Sequence, residues 1–386
     1  MIKWPMMLLG EICSFVGGGT PSRTKAEYFD GNIPWATVKD FKSFRLADTQ
    51  EHITEKAVAD SAANIVEPGT VLLVSRVGLG KVAIADVRLA INQDIKGLTP
   101  DDTISPDFLF WFLLSQAPRI ESMGAGATVK GVTLNDLKRI PVPIPPIPDQ
   151  RRIVDLLSRA EGIVRLRREA EKKAAEIIPA LFLDMFGDPA TNPKGWPSGS
   201  FGAVGELDRG RSRNRPRDAK ELYDGPYPFI QTGDVANSGG RIRGYTATYS
   251  EAGLAQSRLW KRGTLCITIA ANIAKTGVLE FDACFPDSVV GFLPGEQVRT
   301  DYVQAWLGFL QPTLEANAPQ AAQKNINLEI LRNLPIPLPP LPLQETFEQR
   351  CRDVISIQTQ QSAATAKAQA VFDALLARCF AVPVNQ

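Results

Sequence analysis

Five arginines stand within nine residues, Arg209, Arg211, Arg213, Arg215 and Arg217, interleaved with Gly210, Ser212 and Asn214. A guanidinium is a planar, permanently charged fork of N–H donors, matched to phosphate oxygens and to the acceptor edge of guanine. Such side chains alternating through a loop point to holding a polyanion. Further candidates fall at glycine-rich turns: Arg76 and Lys81 in Ser75-Arg-Val-Gly-Leu-Gly-Lys81, Asn272 and Lys275 in Ala271-Asn-Ile-Ala-Lys275, and Arg241 and Arg243 after Gly239-Gly240. Lys39, Lys130, Lys324 and Asn325 complete the set of candidate nucleic-acid contacts.

Arrangements for bond making are missing. The single histidine, His52, builds neither a histidine metal site nor a triad. Phe15-Val-Gly-Gly-Gly19 carries glycines but opens no convincing strand–helix unit, and Gly80-Lys81 is followed by Val82 without the first glycine of a phosphate loop. Glu171-Lys172-Lys173 lies in a helical pattern, a poor place for a nuclease centre. Cys13, Cys266, Cys284, Cys351 and Cys379 are odd in number and scattered, which argues against a disulfide framework or zinc site and fits a reducing cytoplasm. The chain is expected to catalyse nothing and to bind no cofactor or metal of its own.

Composition sets the frame. With 386 residues, 44% of them hydrophobic and 22% charged, the chain reads as globular, with two or more domains. A net charge of +1 means that an anionic partner must be held by local patches. No apolar run reaches the ~18 residues that span a bilayer, and the N-terminus reads as the start of a strand, not a signal peptide.

These candidates sit on a chain written twice. Residues 30–186 map onto 224–380 at a constant offset of 194, so that Ile140-Pro-Val-Pro-Ile-Pro-Pro-Ile-Pro148 becomes Leu334-Pro-Ile-Pro-Leu-Pro-Pro-Leu-Pro342. Asp40, Gly97, Asp107, Lys130 and Gln150 recur as Asp234, Gly291, Asp301, Lys324 and Gln344. Most residues between the anchors differ. A scaffold duplicated and then diversified suits two related but unlike targets.

Each copy opens with roughly 140 residues of mixed pattern. Thr70–Val74 and Thr264–Ile269 read as strands, while Asp107–Leu114 and Asp301–Leu310 read as helices opened by an aspartate cap. The proline run follows as a stiff extended connector, excluded from helices and central strands. A long helix then starts at Asp149 and again at Leu343. The second carries a strict four-three stripe, Phe347, Cys351, Val354, Gln358, Gln361, Thr365, Ala368, Phe372, Leu375 and Cys379. The first carries Ile153, Leu157, Ala160, Val164, Arg167, Glu171, Ala174, Ile178, Leu181 and Met185 in the same register. A 3.5-residue repeat of this length predicts a coiled coil with a polar central layer. Pro179 predicts a kink in the first helix.

Connectivity predicts antiparallel pairing, because the first helix leads to the second globule and the second must run back. Thirty-eight helical residues (149–186) would span roughly 55 Å, or ~16 base pairs of duplex. The expected fold is α+β or α/β, with two globular domains, 1–148 and 200–342, separated by an antiparallel two-helix coiled coil of 149–186 and 343–380. A linker at 187–199 and a tail at 381–386 complete the plan.

The doubled block of variable half, proline run, Gln150-x-x-Ile153 and long helix resembles the specificity (S) subunit of Type I restriction–modification systems. Leu183-Asp-Met-Phe-Gly-Asp-Pro-Ala-Thr-Asn-Pro-Lys-Gly-Trp196 is similar to that family's linker. The resemblance implies two target-recognition domains, each reading one half of an interrupted asymmetric target in double-stranded DNA. It implies helices that space the halves and dock two methyltransferase (M) subunits, which carry S-adenosylmethionine. It also implies restriction (R) subunits that use ATP and magnesium. The second helix lacks the basic face of the first (Arg165, Arg167, Arg168, Lys172, Lys173), which leaves open whether both dock M alike. The rival readings are a stand-alone bivalent DNA-binding scaffold and a self-sufficient methyltransferase or nuclease.

Overall fold

The computed structural model describes residues 4–126, 130–213, 216, 218–270, 272–317 and 326–380. The chain divides into Met1–Arg168 with Ala364–Gln386, and Glu169–Ala363. The division falls inside both long helices, so each unit contains helix from both sequence copies.

The first unit is built on a five-stranded sheet in the order Cys13–Gly17, Ile95–Pro100, Val71–Val74, Val82–Ala85, Arg45–Leu46. Neighbours are antiparallel except the last pair, which is parallel. Val71–Val74 and Val82–Ala85 are buried throughout, because both faces are covered. Side chains alternate between faces with a period of two. Val71, Leu73, Val82 and Ile84 pack with helix Pro106–Ser115, while Leu72, Val74, Ala83 and Ala85 pack with Ala36, Leu46, Leu89 and Ile91. A second sheet of four strands, His52–Ile53, Ile33–Ala36, Leu89–Ile91 and Asn64–Val66, lies beyond that second layer.

In the second unit the five-stranded order recurs as Gly205–Arg209, Val289–Pro294, Leu265–Thr268, Thr276–Leu279, Arg241–Ile242, again with one parallel pair at the edge. Helix Thr300–Ala316 packs on it and runs through Pro312, past the expected end at Leu310. The minor sheet has diverged to the pair Tyr223–Phe229 and Ala247–Tyr249. The aspartate caps require correction. Ser105 caps the first helix by accepting from the Phe108 N–H, and the second has Arg299 at its cap position with no side-chain bond. Asp107 and Asp301 lie further in, inside the first turn, where a negative charge suits the helix dipole.

The proline runs do more than connect. Pro141–Pro143 pairs with Met6–Leu8, and Pro335–Pro337 with Ser198–Ser200, in two-stranded sheets where a missing proline donor has an open edge to face. Each run then passes into a helix, Ile147–Ala175 and Leu341–Cys379, both starting two residues earlier than expected. Pro148 and Pro342 are tolerated there because first-turn N–H groups have no intrahelical acceptor.

Gln150 and Gln344, both fully buried, lock these junctions identically. Gln150 Oε1 accepts from the Ser105 N–H at 2.9 Å, and its Nε2 donates to Thr103 O and Pro145 O at 2.8 and 2.9 Å. Gln344 does the same with the Arg299 N–H, Gln297 O and Pro339 O at 2.9, 3.0 and 2.8 Å. The glutamine repeated after the prolines is thus a staple between connector, helix start and the globule.

The first long helix breaks at Glu176 and resumes as Ile177–Phe186, because Pro179 cannot donate to the Ala175 carbonyl. The helices pair antiparallel within each unit. In the first, Leu157 and Val164 pack with Phe372 and Phe380, and Arg168 Nη2 donates to Gln369 Oε1 at 2.9 Å. In the second, Phe182 packs against Phe347, and Gln358 Nε2 donates to Ala174 O at 2.7 Å. Of the expected seam, Leu157, Val164, Phe347 and Phe372 are buried, while Ile153, Ala160, Ile178, Val354, Gln361 and Leu375 are half-buried. Arg167 is a correction: it is exposed, since a charge forced into an apolar seam would lose hydration that no partner there replaces.

The 187–199 segment is an ordered cap. Lys194 Nζ donates to Asp184 O and Met185 O at 2.7 and 2.9 Å, placing a cation on the helix C-terminus, and Trp196 Nε1 donates to Phe186 O at 3.0 Å. Among the described residues no helix is long and apolar enough to cross a membrane.

Candidate nucleic-acid interface

One end of each five-stranded sheet is finished by the same hairpin. In the first unit, residues 75–81 join the two central strands; the Val74 N–H donates to Lys81 O at 2.9 Å and the Gly80 N–H to Val74 O at 3.3 Å. In the second, the same bonds recur, with the Thr268 N–H on Lys275 O at 2.9 Å and the Ala274 N–H on Thr268 O at 2.8 Å. A strut crosses behind each loop: the Val132 N–H donates to Ser75 O and the Ile326 N–H to Ile269 O, at 2.9 and 3.0 Å. Gly80 and Ala274 match at positive φ, 80° and 55°. The frame is common to both copies while the side chains at its tip differ.

The first hairpin gathers candidates that are distant in sequence. Gly78 faces Val38 and Lys81, so that a Cβ there would lie 3.3 Å from Val38 Cγ1 and 3.6 Å from Lys81 Cε. Arg76 lies over Gly131, with its Nε 3.7 Å from Asp94 Oδ1. Gly124 faces both Leu79 and Lys130. Arg76, Lys81 and Lys130 are exposed here, a cationic group at the end of the sheet, and Lys39 is exposed next to Val38. The group suits electrostatic capture of phosphates.

In the second unit Asn272 and Lys275 are exposed on the equivalent loop, while Lys324 and Asn325 lie outside the described residues. The arginine run leaves its sheet at this same end: Arg209 pairs with Val290, next to Val289, which faces Thr268. Gly210 is obligatory, because a Cβ would come 2.2 Å from Phe285 O. Arg211 is tethered through its N–H to Phe285 O, with its guanidinium 3.9 Å from Asp208, and the exposed Arg213 is held through its N–H on Gln256. Arg215 and Arg217 lie outside the described residues.

Two further candidates are paired with carboxylates, as Arg76 and Arg211 are. Arg243 Nε is 3.2 Å from Glu280. Arg241 forms an ion pair with Asp301, whose side chain is 6% exposed; burial pushes the Asp301 carboxyl above its usual range while Arg241 opposes the shift. Arg45 bonds Asp86 and Asp107 at the same place in the first unit. Arg241 therefore bolts an edge strand to a helix start. The offset between the two arginines is 196, not 194, which hid the equivalence. His52 forms a surface contact with Asp48 at 2.8 Å, and among the described residues no group of three or more His, Cys, Asp or Glu is placed to hold a metal.

Comparison with known proteins agrees with this duplicated plan. The family model for the Type I restriction modification DNA specificity domain matches residues 1–176 and 193–363. The chain is 28% identical over 254 residues to the Type I restriction enzyme MjaIX specificity subunit of Methanocaldococcus jannaschii, covering 59% of this chain and 57% of that protein. It is 30% identical over 183 residues to the Type I restriction enzyme EcoR124I/EcoR124II specificity subunit of Escherichia coli, covering 46% and 45%. The chain thus spans about half the length of these curated relatives. In fold it is similar to a chain from a structure on complex assembly and conformational transition of the type I R-M system, with TM-score 0.63, 20% identity and 98% of each chain covered. A type I restriction–modification S subunit from M. genitalium gives TM-score 0.55, 16% identity and coverage of 98% and 96%. With both sequence copies matched by that domain, and the same sheet, hairpin and glutamine staple in each, the chain belongs to the family of Type I restriction modification DNA specificity domains.

Proposed function

We propose that the chain is the DNA-reading subunit of a Type I restriction–modification complex and is not itself a catalyst. Each unit reads one half of an interrupted, asymmetric double-stranded target. The observation that carries this reading is the shared hairpin frame with unlike tips, cationic in the first unit and amide-bearing in the second. Basic side chains neutralise phosphates, while tip residues enter a groove.

The long helices supply the partner surface. Besides the buried seam, Ile163, Ala170 and Ile177 recur at seven-residue spacing, and Ile357, Ala364 and Val371 repeat them at the offset of 194. The four large side chains of this second stripe are 47–57% exposed. A second heptad seam on each helix fits helices of a methyltransferase subunit. In this reading S-adenosylmethionine resides in the M partners, ATP and magnesium in the R partners, and the complex works in the cytoplasm on host DNA.

Co-expression with the M subunits, followed by modification-sensitive sequencing, tests the proposal. The expected result is a methylated two-part motif that requires this chain. Methyl transfer by the purified chain alone, or methylation independent of it, overturns the reading.

A further inference from the structure

We infer that the hairpin tips are the base-reading elements, with Val77 contacting a thymine methyl in one half-site and Asn272 hydrogen-bonding an adenine in the other. This rests on the function proposed above. Val77 has φ 52° and is 56% exposed. A β-branched residue in the left-handed region is strained, and strain that persists in native proteins clusters at functional positions. No core is gained in return, since a side chain this exposed contributes little to folding. Gly78 and Gly80, at φ 98° and 80°, supply the remaining turn geometry. Arg76 and Lys81 flank the valine, both exposed, as phosphate clamps would flank a reading residue.

In the second unit the frame is the same but the chemistry changes. Lys275 matches Lys81 and Ile273 matches Leu79, whereas Asn272 stands at the place of Gly78. Asn272 is exposed, and its side-chain amide has no hydrogen-bond partner among the described residues. An isopropyl group can discriminate only by apolar contact, and the thymine C5-methyl is the apolar feature of the major groove; an amide matches adenine N6 and N7 as a bidentate pair. The two unlike tips therefore call for two unlike half-sites.

The test uses the full chain assembled with its methyltransferase subunits. Modification-sensitive sequencing of the wild type first gives the motif; its absence overturns the proposed function and this inference with it. Given a motif, Val77→Ala is expected to relax one thymine position in one half only, and Asn272→Ala one adenine position in the other half only. In vitro, uracil in place of that thymine is expected to slow wild-type methylation roughly fourfold, the worth of one buried methyl, and to leave Val77→Ala unaffected. A motif unchanged by both variants, a Val77 half-site without thymine, or equal uracil sensitivity in wild type and Val77→Ala overturns the inference. Val77→Gly, which relieves the strained φ, is expected to fold at least as well as wild type and to read like Val77→Ala.

Discussion

Phe372 belongs by sequence to the second copy and by packing to the first unit, and its truncation is an unusually direct test of how the chain is put together. Its side chain is 6% exposed and lies in the cluster with Leu157, Val164 and Trp111, the indole at 5.8 Å in an edge arrangement. Removing such a ring costs about 3–4 kcal/mol from lost burial and the cavity left behind. Exchange of the most protected amides in Val71–Val74, Val82–Ala85 and Pro106–Ser115 is then expected to rise roughly 200- to 1,000-fold in Phe372→Ala. Amides of Leu265–Thr268 and Val289–Pro294 keep their protection. Phe182→Ala mirrors this: its ring touches Tyr302, Phe309 and Phe347, so the loss falls on the second unit. Hydrogen exchange by mass spectrometry reads both. Equal loss in the two units, or loss confined to the last turns of Leu341–Cys379, refutes the reasoning.

Other expectations are simpler. Gln150→Ala leaves the half-buried Ser105 N–H without its acceptor and removes three hydrogen bonds made by a fully buried amide, lowering stability by about 2–4 kcal/mol in a denaturant melt, and Gln344→Ala does the same in the second unit. Arg241→Ala strands a buried Asp301 and is expected to destabilise by about 3 kcal/mol, largely restored by adding Asp301→Asn, whereas Arg76→Ala or Lys275→Ala weakens DNA binding with an unchanged melt. Burial pushes the Cys13 and Cys351 thiols up to about 12. Their protonated forms are favoured by folding, so this stability is complete below pH ~8.5 and falls as pH rises toward 12; Cys351→Ala should flatten the alkaline decline of Tm. Deleting one heptad from each long helix shortens each by about 10 Å and is expected to bring the methylated half-sites about three base pairs closer.

Much of this was legible in the sequence because prolines, glycines and the buried glutamine leave type-specific marks. The proline runs, Gln150 and Gln344 fixed the repeat, and the stripe through Leu157, Val164 and Phe372 announced the helix pairing. Where a choice depended on a distant partner, reading the chain alone misled. Arg241 looked like a surface arginine because Asp301, sixty residues later, becomes its neighbour only in the folded sheet. Arg167 fell on the seam by spacing, yet a long charged side chain can turn to water. Asp107 resembled a cap, although Ser105, two residues earlier and just ahead of Pro106, takes that place. Strands of two to four residues such as Arg45–Leu46 and Ile33–Ala36 carry too little pattern to register. Val77 was invisible as a candidate, since only its backbone conformation and exposure single it out.

Under the proposed function each unit reads its own half-site. Replacing residues 1–140 with the matching segment of another family member, in a chain co-expressed with the methyltransferase subunits proposed as its partners, tests this most directly when the methylated motif is sequenced. One half of the motif is predicted to change while the other half stays as it was. A motif altered in both halves, or in neither, contradicts the claim.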